Sequence, residues 1–345
     1  MNDLLELSGT ARERGRAHGE SLREEIRDRI AKTLNDVSED DVAPWWHATA
    51  ASAPTIAEEL TGIAEGAGCR LADVVQINVF EALDFAKQAD LGAGGCTVIG
   101  VRPAEGGPIV AQNWDSNLSS SSALRTQLHR ALRPHLHRGP DTLTTLVLAS
   151  PGGIGWNGIN EAGVALVNAD LFTKRLRVGV PSKVMRRLIL AERSRSEGLR
   201  RLRELGGVGG RTYLVGDTTG VDLVEVSAEE PTPIHLPPVG NGWVHTNHAV
   251  SSRIALHEDP AKVPVSSRAR YTRASELLQQ LKGNSSDEIA ALLADHHGDP
   301  YSVCCHVNEQ QPSVTAASVI YDCEQRRASV AIGNPCTAEF RTYQL

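Results

Sequence analysis

The chain is poor in lysine and has neither an apolar run long enough to cross a bilayer nor cysteines at C-x-x-C spacing. Six of its 35 basic residues are lysine, and 42 acidic residues outnumber the basic ones, giving a net charge of −7 and a pI of about 6.0. The global field therefore draws in neither nucleic acid nor an anionic membrane surface, and neither is expected as a partner. The arginine runs Arg193-Ser194-Arg195-Ser196 and Arg200-Arg201-Leu202-Arg203 are interleaved with Glu192, Glu197 and Glu204. That pattern reads as a solvated helix face, with a phosphate patch the lesser alternative. Met1-Asn2-Asp3-Leu4-Leu5-Glu6 has no basic segment followed by an apolar core, so no secretory signal is expected. A cytoplasmic, reducing setting follows, in which Cys69, Cys96, Cys304, Cys305, Cys323 and Cys336 are read as thiols and not as a disulfide framework. Cys304, Cys305 and His306 lack the paired C-x-x-C spacing of structural zinc, so no metal is expected and inert core cysteines are the favoured reading.

What is present is a globular composition, 41% hydrophobic and 22% charged, without internal repeats or a low-complexity linker. One domain over residues 1–345 is the simpler reading. From about Ala11 to Lys87 the pattern is helical throughout: "RERGRAHGESLREEIRDRIAKTLNDV", then "TIAEELTGIAEGAG" with Gly66 and Gly68 at its end, then "LADVVQINVFEALDFAK". At Cys96 the texture changes. "CTVIGVR", "PAEGG" and "PIVAQNWD" form the sequence of a β-hairpin, and "TLTTLVLA", "GVALVNADL", "RTYLVGD", "VDLVEVS" and "GWVHTNHAV" are further strands, with "GDTTG" a turn. Helices return at "SKVMRRLILAERS", "EGLRRLREL", "RARYTRASELLQQLKG" and "SSDEIAALLADHH", the last with Ser286 as N-cap, before a final hairpin in "TAASVIYDCEQRRASVAIG". Strands in hairpin pairs with helices between them indicate an α+β fold of antiparallel sheets covered by helices.

Gly92-Ala93-Gly94-Gly95-Cys96-Thr97-Val98-Ile99-Gly100 sets a cysteine directly behind two glycines. A nucleophilic thiol needs a base within reach. Cutting the chain just before Cys96 supplies one, because the freed α-amine has a pKa of roughly 7.7–8.0. Gly94 and Gly95 give access to the unusual backbone conformations that favour attack on the preceding carbonyl. Taken alone, the pattern reads far more readily as a loop before a strand with a buried small thiol.

The ordered set "GTARERGRAHG", "GGCTVIG", "GGPIVAQNWD", "GWNGINEAGVALVNADL", "GWVHTNHAV", "YSVC" and "SVIYD" resembles the N-terminal-nucleophile hydrolases of the acyl-coenzyme A:isopenicillin N acyltransferase type, nearly end to end. The resemblance implies an αββα four-layer sandwich with a helical N-terminal segment. It implies self-cleavage between Gly95 and Cys96 into an α-chain, 1–95, and a β-chain, 96–345. By that resemblance Cys96 is the nucleophile, Asp115 holds the new ammonium group, Asn247 donates to the oxyanion, and Asn168 matches a second oxyanion or substrate-contact asparagine. Thr97, Gln112, His245 and His306 are accessory candidates. The expected substrate is a small amide or an acyl thioester such as an acyl-coenzyme A, in secondary metabolism and with no resident cofactor. The family's substrates include β-lactam precursors and β-alanyl amides. Self-association is left open.

Many relatives carry arginine after the "S-[IV]-C" that Ser302-Val303-Cys304 matches, where this chain has Cys305. An uncleaved, non-catalytic ligand-binding descendant is therefore the competing reading, and a Cys96 thiol protease using His245 or His248 a third.

Overall fold

The computed structural model describes residues 4–33, 38–86, 95–102, 106–117, 131–283, 285–310 and 313–345. Two sheets form its centre. The smaller has six strands in the order β11 (Gly242–His245), β2 (Cys96–Val101), β3 (Ile109–Asn117), β12 (Ser313–Asp322), β13 (Arg327–Ile332) and β14 (Arg341–Gln344), all antiparallel. The larger has eight, in the order β1 (Leu5–Ser8), β4 (Arg133–Gly139), β5 (Thr142–Ala149), β6 (Asn157–Asn160), β7 (Ala165–Asp170), β8 (Arg211–Asp217), β9 (Gly220–Val226) and β10 (Ile234–Leu236). Its one departure from the antiparallel expectation is β1, which runs parallel to β4.

Side-chain alternation along β2 and β3 sorts the core into layers. Val98 and Val110 face the larger sheet and pack with Leu146, Ile159, Val167 and Leu214. Ile99, Val101, Ile109 and Ala111 face the other way, onto Ala274 and Leu278 of α9 (Ser267–Gln280) and Ile289, Leu292 and Leu293 of α10 (Ser286–Leu293). The far face of the larger sheet, through Val147, Leu166, Val215 and Val226, is covered by α2 (Arg23–Thr33), α4 (Pro54–Ala67), α5 (Leu71–Ala86), α6 (Ser182–Leu190) and α7 (Arg195–Leu205). Helix α3 (Glu39–Ser52) lies beside α5, and the four-residue α8 (Ser252–Ala255) follows β11. The layers run helix, sheet, sheet, helix, which is the four-layer αββα arrangement the resemblance implies. Gly100 marks how closely the sheets approach, since a Cβ there would stand 2.7 Å from Val221 Cγ1.

Helix α1 (Ala11–Ser21) crosses α4 on glycines. A Cβ on Gly15 would meet the Glu59 carbonyl at 2.0 Å, and one on Gly66 would meet that of Arg16 at 2.1 Å. Gly66, in the last turn of α4, therefore also serves close helix packing. The stop comes from Gly68, left-handed at φ +64°, where a side chain is strained. The N-terminal helical run also breaks at Leu22, and the cap of α10 is Ser285, not Ser286, in a reciprocal capping box with Glu288. The turn residues Pro103, Ala104 and Glu105, and Gly94 of the glycine pair before Cys96, lie outside the described residues. Among the described residues no helix is long and apolar enough to cross a membrane.

Candidate active site

Register brings the site together. His245 of β11 lies opposite Val98, so two residues further on Asn247 reaches the level of Cys96. Its side chain continues the ladder that the backbone leaves: Cys96 N donates to Asn247 Oδ1 at 2.8 Å. The fully buried Arg270 of α9 comes in from the helix side. Its Nη1 donates to Cys96 O at 2.5 Å and to Thr97 Oγ1 at 3.0 Å, its Nη2 to Asn247 Oδ1 at 2.9 Å, and its Nε to Ser266 Oγ at 3.2 Å. One guanidinium fork thus fixes the carbonyl of Cys96 and the side chain that holds its nitrogen.

Asp115 stands one residue past Trp114, which pairs with Cys96 across the hairpin. Its N–H donates to Gly95 O at 2.6 Å, and its Oδ1 accepts from Thr315 Oγ1 at 2.7 Å. Buried Oδ2 makes no hydrogen bond among the described residues and lies 4.0 Å from Arg270 Nη1. A Cβ built on Gly95 would stand 2.5 Å from Arg270 Nη2 and 3.0 Å from Asp115 Oδ2. Gly95 does not have a positive φ, so the expected conformational reason for this glycine is replaced by a steric one: it lets two charged side chains close on the backbone. Gly95→Ala is expected to displace the guanidinium, costing about 1–3 kcal/mol and slowing any cut at this bond. A thermal melt and a denaturing gel check both effects.

The thiol lies on the opposite face from Asp115, between the sheets. Gln112 Nε2 donates to Cys96 Sγ at 3.3 Å and to Asn168 O at 2.7 Å, and Gln112 Oε1 accepts from Asn157 Nδ2 at 3.1 Å. Tyr321 Oη in turn donates to Asn157 Oδ1 at 2.7 Å. Stacked Trp114 and Trp156, with ring centroids 4.6 Å apart, pack on the same apolar cluster as Cys96. Burial pushes the Cys96 thiol up to about 12; nearby Asp115 adds to this, and Gln112, Arg270 and Arg211 offset part of it. Burial likewise lifts the Asp115 carboxyl to about 6 against the pull of Arg270 and the Thr315 hydroxyl. The thiol is therefore protonated at neutral pH, so any nucleophilic role for it requires a base.

Of the residues read from the sequence, Cys96, Thr97, Gln112, Asp115 and Asn247 meet here. Asn168 joins through its backbone, while its Nδ2 donates to Trp156 O at 2.6 Å. Asn247 Nδ2 donates to Asp170 O at 3.1 Å, so the bond it makes to Cys96 is through oxygen. His245 is a buried structural group: Nε2 lies 2.6 Å from Glu225 Oε1 and Nδ1 2.8 Å from Thr246 O. His306 makes its contacts instead with His296, Cys304 and Cys336, and Cys336 is exposed, not a core cysteine. Arg270 is the residue the sequence reading missed. Its guanidinium is a buried positive group against Cys96, whereas Cys305 has its N–H and O tied to Thr315. Its signal was the i, i+4, i+8 alignment of Arg270 with the buried Ala274 and Leu278, which places it on the core stripe of α9.

Residues 102–337 match the family described as acyl-coenzyme A:6-aminopenicillanic acid acyl-transferase. The 40 kDa form of acyl-coenzyme A:6-aminopenicillanic-acid-acyltransferase from Emericella nidulans is 28% identical over 289 residues, covering 82% of this chain and 76% of that one. Among solved structures, a variant of conjugated bile acid hydrolase from Clostridium perfringens is similar at a TM-score of 0.46 and 10% identity, over 72% of this chain and 97% of that one. Penicillin V acylase from Agrobacterium tumefaciens is similar at a TM-score of 0.47 and 15% identity, over 72% and 86%.

Proposed function

Because the chain belongs to the acyl-coenzyme A:6-aminopenicillanic acid acyl-transferase family, we propose that it is a self-processing amidohydrolase or acyltransferase with Cys96 as nucleophile. The observation that carries this reading is the convergence of Asp115, Asn247 and Arg270 on the Gly95–Cys96 peptide unit and the carbonyl that follows it. The Cys96 thiol attacks the Gly95 carbonyl carbon, whose oxygen is already polarised by the Asp115 N–H. The C–N bond breaks, the Gly95 acyl group moves to sulfur, and the departing nitrogen takes the proton as the new α-amine. Water then releases residues 1–95 as a carboxylate. The amine, with a pKa of roughly 7.7–8.0, emerges beside Asn247 Oδ1 and the open Asp115 Oδ2, and serves the thiol as base.

In turnover the same thiol attacks a small amide or acyl thioester, the leaving group departs with a proton, and the Cys96 thioester passes to water or to an amine. The stacked indoles of Trp114 and Trp156 beside the thiol favour an apolar or planar acyl group. The amide of Gln112, 3.3 Å from the sulfur, is a ready donor to the developing oxyanion, and Asn247 serves it by exchanging its bond to Asp170 O. The two fragments stay together in this reading, because β1 pairs with β4 across the cut and Ile26, Leu60 and Ile63 share a core with Val147 and Leu166.

A denaturing gel with intact-mass analysis tests the proposal. Two fragments that co-elute under native conditions, the larger starting at Cys96, are expected. A single 345-residue band with an unreactive Cys96 overturns it in favour of the uncleaved, non-catalytic reading. In a chain retaining Cys96, Asp115→Asn is expected to lower turnover by about 10²-fold or more.

The same carboxyl gives a pH prediction. Its pKa rises from 3.8 in the free residue to about 6 in the fold. The neutral acid is therefore favoured by folding, and the associated stability is complete below about pH 4 and is lost as the pH rises through 6. At about 1.4 kcal/mol per pH unit, ionised Asp115 costs the uncut chain about 3 kcal/mol at pH 7. In a Cys96→Ala background, Asp115→Asn should raise the melting temperature at pH 7.5, and the gain should vanish near pH 4.

A further inference from the structure

Four ligating side chains converge away from Cys96, contributed by three separate segments. His296 follows α10, Cys304 and His306 precede β12, and Cys336 lies between β13 and β14. Their ligand atoms all lie within 4.8 Å of one another. His296 Nε2 and His306 Nε2 are 3.0 Å apart, and Cys304 Sγ and Cys336 Sγ are 3.7 Å apart. His306 Nε2 stands 3.5 Å from Cys304 Sγ and 3.4 Å from Cys336 Sγ. A tetrahedron built on zinc–sulfur bonds of about 2.3 Å and zinc–nitrogen bonds of about 2.0–2.1 Å has edges of about 3.3 Å between nitrogens, about 3.6 Å between nitrogen and sulfur, and about 3.8 Å between sulfurs. Each of these four edges agrees to within about 0.4 Å. All six cysteines are free, and a disulfide requires sulfurs about 2.05 Å apart.

We infer that His296, Cys304, His306 and Cys336 hold one zinc ion in a closed, four-coordinate site. Two thiolates and two neutral imidazoles suit a tetrahedral d¹⁰ ion. Binding releases two protons, one from each thiol, and leaves the site uncharged. Asn334 is the outer support: its Nδ2 stands 3.6 Å from Cys304 Sγ and donates to Cys305 O at 2.7 Å. No ligand position is left for substrate, so the ion is structural, and what it braces is the catalytic edge. Cys305 N donates to Thr315 Oγ1 at 2.9 Å, Thr315 N donates to Cys305 O at 2.9 Å, and Thr315 Oγ1 donates to Asp115 Oδ1. The expectation of inert cysteines without a metal rested on the missing C-x-x-C spacing, and folding assembles the four ligands from positions 40 residues apart at the extremes.

The test uses the full-length protein, purified under reducing conditions without chelator and dialysed against zinc chloride. Plasma mass spectrometry is expected to find about one zinc per chain. Cobalt chloride should give the visible bands of tetrahedral cobalt with thiolate charge transfer. His296→Ala and Cys336→Ser should lose both signals while circular dichroism shows a folded chain. Should either fail to fold, Asn334→Ala keeps all four ligands and is expected to weaken zinc binding about 10-fold. Wild-type protein that takes up neither metal while Cys304 and Cys336 alkylate as free thiols overturns the inference. So does a Cys304–Cys336 disulfide as the form that survives reducing purification.

Discussion

Replacing Cys96 with alanine is expected to yield one uncut chain of 345 residues that folds normally and transfers no acyl group. The structural cost is small, because the thiol is one minor member of an apolar cluster that includes Val98, Val110 and Leu214. The chemical cost is about 10⁴-fold or more in rate, since a missing nucleophile cannot be offset by the groups that orient it. Cys96→Ser should retain a trace of both reactions, because a hydroxyl is the weaker nucleophile. Intact-mass analysis reads processing and a chromogenic amide reads turnover. Normal fragments from the alanine variant would place the nucleophile elsewhere.

The second large effect is expected from Arg270→Ala. The guanidinium makes four hydrogen bonds while fully buried, and no other side chain described here touches both Cys96 and Asn247. Removing it leaves the Cys96 carbonyl and Thr97 hydroxyl short of a donor and takes from Asp115 the cation that holds its pKa down. Breaking such a buried arrangement typically costs about 3–5 kcal/mol. Processing should stop, and the Asp115 carboxyl should titrate above about 6. Arg270→Lys keeps the charge but not the fork, so it should recover much of the stability and little of the processing. Melting curves against gel-resolved cleavage separate the two. An Arg270→Ala chain that cuts itself at the wild-type rate would reduce Arg270 to a packing role.

The hairpin that begins at Cys96 was legible because β-branched runs flank a proline- and glycine-bearing turn, and so were the helices α4, α5 and α10. Strand β4, "RPHLHRG", was not. Its helix-facing positions are His135 and His137 in place of apolar residues, packed near the buried Glu59–Arg187 pair, where burial keeps both imidazoles neutral. An alternation whose inner side is polar reads as a loop. At the site, Cys96, Asp115 and Asn247 were readable through the order of their segments. Arg270 was hidden between the exposed Arg268 and the half-buried Arg273 of the same helix, and a buried charge is not visible from local spacing. The metal-ligand cluster was hidden for a related reason, since its members are neighbours only after the smaller sheet and its flanking loops have formed.

The distance along the chain between Cys96 and Arg270 has a consequence in time. The bond that fixes the Cys96 carbonyl spans 174 residues, and the hydroxyl that holds Asp115 is supplied 200 residues after it. During synthesis from the N-terminus, Gly95 and Cys96 leave the ribosome long before either partner exists. A cut at that bond has to wait until more than nine-tenths of the polypeptide has been made. If the proposed cut occurs, the wiring of the site is thus also a clock, one that keeps the two halves on a single strand until they have folded around each other.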